Sequence, residues 1–229
     1  MPTVFSLIKF CEKERYAERF LAGCMHMNRL SHFIQLENDE QRSDSFEGIS
    51  SWMQPDQVQV YVGGQLIKDI IRPITIRKKQ HETSPILCLY AIESGPYQAI
   101  NEANIIEFKR YLRIREVVNS FGGHAALITN VSVFLERFIS AAKHHGFGID
   151  ASLVNYYSDL SHNPRFDRPA FYKSDKYADQ REYRIVLDIG DDLKTPFTLE
   201  IGDLSDIAVK TTTHDLLRNG VDIILPGIE

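Results

Sequence analysis

Apolar and polar positions alternate most cleanly over residues 181–187, where Tyr183, Ile185 and Leu187 fall on one side of an extended chain. Gln180, Glu182 and Arg184 fall on the other side, so a polar segment beginning at Phe171 runs into a strand that carries a Gln-x-Glu pair at its mouth. Upstream, residues 4–10 read as a strand carrying Lys9. Residues 12–22 then place Tyr16, Ala17, Phe20 and Leu21 at helical spacing before Gly23. A short strand over 24–27 and a turn into a short helix over 28–33 follow. The polar stretch 37–48, with Glu37, Asp39, Glu40, Asp44 and Glu47, reads as a surface loop or lid. Val58, Val60 and Val62 alternate up to Gly63-Gly64 and the apolar pattern resumes at Leu66, the signature of a hairpin closed by a glycine pair.

Pro85 introduces a strand over 86–92 that holds Tyr90. Residues 105–121 read as a helix, 124–129 as a strand, and 131–145 as a helix with Leu135, Phe138, Ile139 and Ala142 on one face. Further strands are expected over 153–157, 197–201, 207–209 and 221–225. Strands outnumber helices and the helices cluster early, which predicts an α+β fold with mainly antiparallel sheets rather than a βαβ series.

Composition narrows the function classes. A chain of 229 residues, 43% hydrophobic and 25% charged, is long enough to bury its own core, and a single domain over 1–229 is expected. A net charge of -5 argues against holding nucleic acid by bulk electrostatics and leaves only a local basic face for that role. No run approaches the roughly 20 apolar residues of a membrane helix, so no membrane partner is expected. Cys11, Cys24 and Cys88 lack metal-ligand spacing and lie beside apolar neighbours, which suits buried free thiols in a cytoplasmic protein. His144 and His145 fall in the last turn of a helix, where they complement its dipole, and no metal is expected.

The candidate chemistry sits at Gln180 and Glu182, two acceptor-bearing side chains about 7 Å apart on one strand face, placed to address neighbouring groups of one substrate. The plain alternative is a solvent-facing Glu-x-Arg on an edge strand. For Tyr90 the plain alternative is aromatic packing. A second class of function is a nucleic-acid module built on Arg77, Lys78, Lys79, Arg110, Arg113 and Arg115, with Phe108, Tyr111 and Tyr172 near them. A third is a catalytically silent interaction protein.

Several pieces also occur in a telling order: Ile8-Lys9-Phe10, Phe33 with Asp44 and Glu47-Gly48, Leu87 to Tyr90, Phe121-Gly122-Gly123-His124, the 154–157 strand, and Phe171-Tyr172-Lys173 before Gln180 to Arg184. In that order they resemble a bacterial family known mainly as a domain of unknown function, over nearly the whole chain. The layout resembles, more distantly, the ADP-ribosyltransferase fold, a split β-sandwich whose first strand carries Arg or His and whose late strand carries a Glu-x-Glu or Gln-x-Glu motif. The resemblance implies NAD as co-substrate and Glu182 and Gln180 as catalytic residues. It also implies Lys9, Tyr90 and Phe171 as NAD-binding residues and an acceptor-recognition loop over 171–179, whose polar part, 174–179, is expected to be mobile. Lys9 departs from the usual first-strand residue. The implied function is a toxin or phage-defence effector that modifies RNA, DNA or protein and is paired with a cognate antitoxin.

Overall fold

The computed structural model describes residues 2–34, 47–78, 82–158, 165–190 and 196–222. In chain order its elements are β1 (Val4–Cys11), α1 (Glu14–Leu21), β2 (Cys24–Arg29), α2 (Leu30–Ile34), β3 (Ser51–Met53), β4 (Val60–Val62), β5 (Gln65–Ile67) and β6 (Ile74–Ile76). There follow β7 (Pro85–Glu93), α3 (Ile105–Leu112), β8 (His124–Ile128), α4 (Val131–His144), β9 (Gly148–Leu153), β10 (Asn155–Tyr157) and β11 (Tyr172–Ser174). The last are β12 (Glu182–Asp188), β13 (Phe197–Glu200), β14 (Ala208–Thr212) and α5 (Thr213–Asn219). The fold is α+β with mainly antiparallel pairing; β10 and β11 form a parallel pair.

The main sheet is organised by β7. Along one edge β7 pairs with β12, Ile86 to Tyr90 against Val186 to Glu182, and β12 pairs in turn with β9. Along its other edge two strands share it: β2 meets only Pro85 and Ile86, and β1 meets Tyr90 to Glu93. Beyond these, β1 continues into β8 and β14, and β2 into β13. The sheet therefore splits beside residues 87–89. Alternate residues of an antiparallel strand aim both backbone groups at the same neighbour. Because Ala91 N–H donates to the carbonyl of Arg181, the residue just before β12, Leu89 and Leu87 also face β12, and Cys88 faces the split. There the Lys9 ammonium donates to the Cys88 carbonyl at 3.2 Å and supplies a bond that no strand provides.

Each face of the sheet is covered. Phe134, Phe138 and Ala142 of α4 pack on Leu7, Leu87, Ala126, Ile185 and Leu187. On the opposite face Phe108 and Leu112 of α3 pack with Ile8, Tyr90, Ile92 and Ala125. α4 forms where the spacing predicts, and the Asn130 side chain caps it by accepting from Val133 N–H at 3.1 Å. Asn130→Ala removes that acceptor from an exposed helix end and is expected to cost about 1 kcal/mol, read as a lower denaturant midpoint at unchanged slope.

The structure differs from the sequence pattern at several places, and the strands β3, β6, β9 and β11 were among the elements not expected. The helix expected over 105–121 ends at Leu112, and a separate 3-10 helix spans Glu116–Phe121; the break lets Phe108, Leu112 and Val118 all enter one core cluster. Thr213–Asn219 is a helix where none was expected, although Thr212 followed by Asp215 is a readable capping signal: the Thr212 hydroxyl accepts from Asp215 N–H at 3.0 Å. Val221 and Asp222 are not in a strand, and the rest of that expected strand lies outside the described residues. The hairpin of β4 and β5 does close on Gly63 and Gly64, both with positive φ, and leaves Tyr61 and Val62 largely exposed.

Candidate functional site

A cavity of about 620 Å³ opens at the split in the sheet. Lys9, Tyr90, Gln180 and Glu182 all line it, so four of the five residues expected to work together do meet in one space. Phe171 does not line it. It is buried with Leu30, Ile86 and Ala170, and the Arg168 guanidinium stands 4.2 Å from its ring centre. The expected role of Phe171 in holding NAD is thus corrected: it lies at the end of a 3-10 turn that packs down on the sheet.

Alternation correctly separates Tyr183, Ile185 and Leu187 from Glu182 and Arg184, since the first three belong to the core beneath α4. The second face, however, is not open to solvent: Glu182 is 8% exposed and Arg184 1%. It is covered by the chain at 169–180 and by Glu47. The Lys173 ammonium donates to Gln180 Oε1 and to Glu182 Oε1, both at 2.7 Å. Arg184 Nε donates to Glu182 Oε2 at 2.7 Å, and its Nη1 donates to the Ala170 carbonyl at 2.6 Å. Arg184 Nη2 completes the set with Glu47 Oε1. Two cations and two carboxylates form a neutral buried network, with charge-assisted bonds to both oxygens of Glu182.

The network fixes protonation states. Burial alone would raise the Glu182 carboxyl, but the Arg184 and Lys173 charges outweigh it and hold Glu182 well below the usual carboxylate range. Burial alone would lower Lys173, and the Glu182 and Glu47 carboxylates overrule it and hold Lys173 above its ordinary value. The depressed carboxylate contributes stability above its unfolded value of 4.5, and that stability is lost as pH falls through the folded value. The raised ammonium contributes below its unfolded value of 10.5 and loses that contribution as pH rises through the folded one. Across neutral pH Glu182, Lys173 and Arg184 are therefore charged.

The other wall carries a different chemistry. Lys9 and Arg19, from β1 and α1, give the cavity a cationic side, and His26 and His32 of β2 and α2 line it beside them. Burial, reinforced by the Lys9 and Arg19 charges, holds the His26 imidazole below its usual value. Half-buried Phe10 and Phe121, 6.3 Å apart, add aromatic surface that the sequence did not single out. Cys88 lines the cavity as a protonated thiol, pushed up to about 12 by burial and by the Glu182 charge.

Other expectations also change. Tyr90 is 3% exposed, packs edge-on to Phe10 at 6.0 Å, and accepts from Arg115 N–H through its hydroxyl, so its ring is fixed in the cavity wall. The segment expected to be a mobile loop over 174–179 contains a 3-10 helix, Asp175–Gln180, with Tyr177 buried. Of the aromatics near the basic residues, Phe108 is fully buried while Tyr111 and Tyr172 are half-buried, and Lys79 of the basic patch lies outside the described residues. Glu47 is completely buried, not part of a solvated loop; residues 37–46 of that stretch lie outside the described residues. Among the described residues no cluster of His, Cys, Asp and Glu is arranged to hold a metal, and no helix is long and apolar enough to cross a membrane. No protein-family model, curated protein or solved structure matches the chain.

Proposed function

We propose that the chain is an NAD-dependent ADP-ribosyltransferase that modifies a macromolecule, whether RNA, DNA or protein, as a cytoplasmic toxin or phage-defence effector. A cognate antitoxin is the partner such an effector requires. The observation that carries this reading is the juxtaposition, in one cavity, of an ionised buried carboxylate at Glu182 with a cationic wall around Lys9. The cavity volume of about 620 Å³ suits a dinucleotide-sized substrate. Lys9 and Arg19 suit its diphosphate, and Phe10, Phe121 and Tyr90 suit its flat rings.

In the reaction the bond between nicotinamide and ribose C1′ breaks and its electron pair leaves on the nicotinamide nitrogen. The acceptor nucleophile then bonds C1′, and its proton passes to solvent. Glu182 accepts from the ribose 2′-hydroxyl as positive charge develops on the sugar, and Gln180 orients the incoming nucleophile.

Purified full chain incubated with NAD carrying one label on nicotinamide and a second on the adenylate, together with mixed RNA, DNA and protein, is expected to release the first label as nicotinamide and transfer the second to one acceptor class. Lys9→Met should raise KM. Glu182→Asp keeps the charge but withdraws the carboxylate by one methylene, and turnover should fall about 100-fold, roughly 2.7 kcal/mol of barrier. Absence of nicotinamide release with every acceptor, or full turnover in Glu182→Asp, defeats the proposal.

A further inference from the structure

Gln180 and Glu182 are separated by Arg181, the one non-glycine residue with positive φ among the described residues. Its backbone sits at φ 42 and ψ 51, the left-handed region. A glycine would adopt that conformation without the Cβ conflict that an arginine meets there. Something in the arginine side chain therefore holds the turn.

That side chain is buried, 9% exposed, and its guanidinium lies 4.2 Å from the centre of the Tyr111 ring. Its Nη1 is buried without a hydrogen-bond partner, so at that nitrogen the ring contact is not supplemented by a bond. The ring itself is anchored. The Tyr111 hydroxyl donates to the Glu93 carboxylate, whose other oxygen accepts from Gly95 N–H. Gly95 leaves room for the ring, since a Cβ there would come within 2.4 Å of it. Burial and the Glu93 hydrogen bond push the Tyr111 phenol up to about 12, so it remains a donor.

Backbone bonds transmit the hold in both directions. Arg181 N–H donates to the Ala178 carbonyl at 3.1 Å and closes the 3-10 helix that ends in Gln180. The Arg181 carbonyl accepts from Ala91 N–H at 2.8 Å and starts the ladder that contains Glu182. The left-handed residue is thus the corner between helix and strand. At this corner both flanking side chains meet one ammonium, Lys173 Nζ, at 2.7 Å each.

We propose that Arg181 is a positioning residue: stacked on Tyr111, it locks the left-handed corner that presents Gln180 and Glu182 together on Lys173. The inference deepens the transferase reading, on which the roles of Gln180 and Glu182 rest, but the lock itself is a property of the chain without substrate.

The test uses two variants of the full chain, Arg181→Gly and Tyr111→Leu, and two measurements. The first is hydrogen exchange of the Lys173 side-chain ammonium by NMR in isotope-labelled protein. The second is kcat and KM for nicotinamide release. In the wild type the Lys173 ammonium should be protected from exchange. Arg181→Gly is expected to melt within a few degrees of wild type, because glycine accepts the corner. Exchange at Lys173 should nevertheless accelerate about 10-fold or more, and kcat should fall by a similar factor at nearly constant KM. Tyr111→Leu, which touches neither Gln180 nor Glu182, should reproduce both changes and carries the test if Arg181→Gly fails to fold. Unchanged Lys173 exchange in either folded variant overturns the lock. A wild type that releases no nicotinamide defeats the transferase reading alone, and ammonium exchange then still decides the role of Arg181.

Discussion

Glu182→Gln is expected to lower the melting temperature by roughly 10 °C, because it removes one carboxylate from a network that is neutral only when complete. The substitution leaves Lys173 and Arg184 facing Glu47 alone, so one net positive charge is stranded where the side chains are 3% and 2% exposed. Breaking a buried pair from one side costs about 3–5 kcal/mol, far more than the ~1 kcal/mol or less of an exposed ion pair. The mechanism can be isolated by adding Lys173→Met, which removes one cation and leaves Arg184 with Glu47. The double variant should be more stable than the sum of the single losses predicts, by a coupling of about 1–3 kcal/mol. A melting temperature within a degree or two of wild type for Glu182→Gln would show that Glu182 is not held in a closed network. For the same reason turnover of Glu182→Gln is a poor probe of chemistry, whereas Glu182→Asp keeps the charge count.

Gly122→Ala is expected to cost about 4 kcal/mol or more and to leave little folded protein at 37 °C. Gly122 has φ 127, and a Cβ built on it would stand 2.2 Å from the Cys11 carbonyl oxygen and 2.5 Å from the Glu12 nitrogen. Both obstacles are backbone, so no rotamer change relieves them, and the end of β1 would have to move away from the start of β8. Two other joins meet at the same point, since Thr213 Oγ1 donates to the Gly122 carbonyl and Thr213 N–H to that of Gly123. The neighbouring position is the control. A Cβ on Gly123 meets nothing within 4 Å and its φ is not positive, so Gly123→Ala should change stability by about 0.5 kcal/mol or less. Equal melting temperatures for the two variants would refute the close approach at Gly122.

How far the sequence foretells this molecule depends on how local each cause is. The period of 2 over 181–187 assigns Glu182 and Arg184 to one face of β12, because side-chain direction in a strand is a local property. It does not say that the face is covered, because the cover comes from Ala170, Lys173 and, 137 residues away, Glu47. Glu47 ends an acidic stretch that composition assigns to the surface, and its pairing with Arg184 of a distant strand gives its charge a partner inside. Lys173 stood in the motif itself, seven residues before Gln180 and nine before Glu182, but spacing through an irregular segment fixes no distance. Lys9 was legible as an unusual charge inside an apolar strand, and the split that receives it was not. Tyr90 shows the limit from the other side. Its place beside the cavity followed from strand order, while its fixed ring follows from Phe10 and from Arg115 N–H, which pattern alone does not bring near.

The pairing of Arg184 with Glu47 also constrains the route by which the chain reaches this state. β12 can pair with β7 and β9 early, but Arg184 then enters the interior beside Glu182 and Lys173 with one positive charge in excess. Only the arrival of Glu47 balances it. The closing contact spans 137 residues and carries the loop-closure entropy of that span, which favours its forming late. Once formed, it cannot be released piecemeal. Withdrawing the segment that ends in β3 uncovers the same charge that assembly had to neutralise, so backbone amides near Ser50, whose N–H donates to the Ile76 carbonyl at 2.8 Å, should exchange through openings nearly as costly as global unfolding.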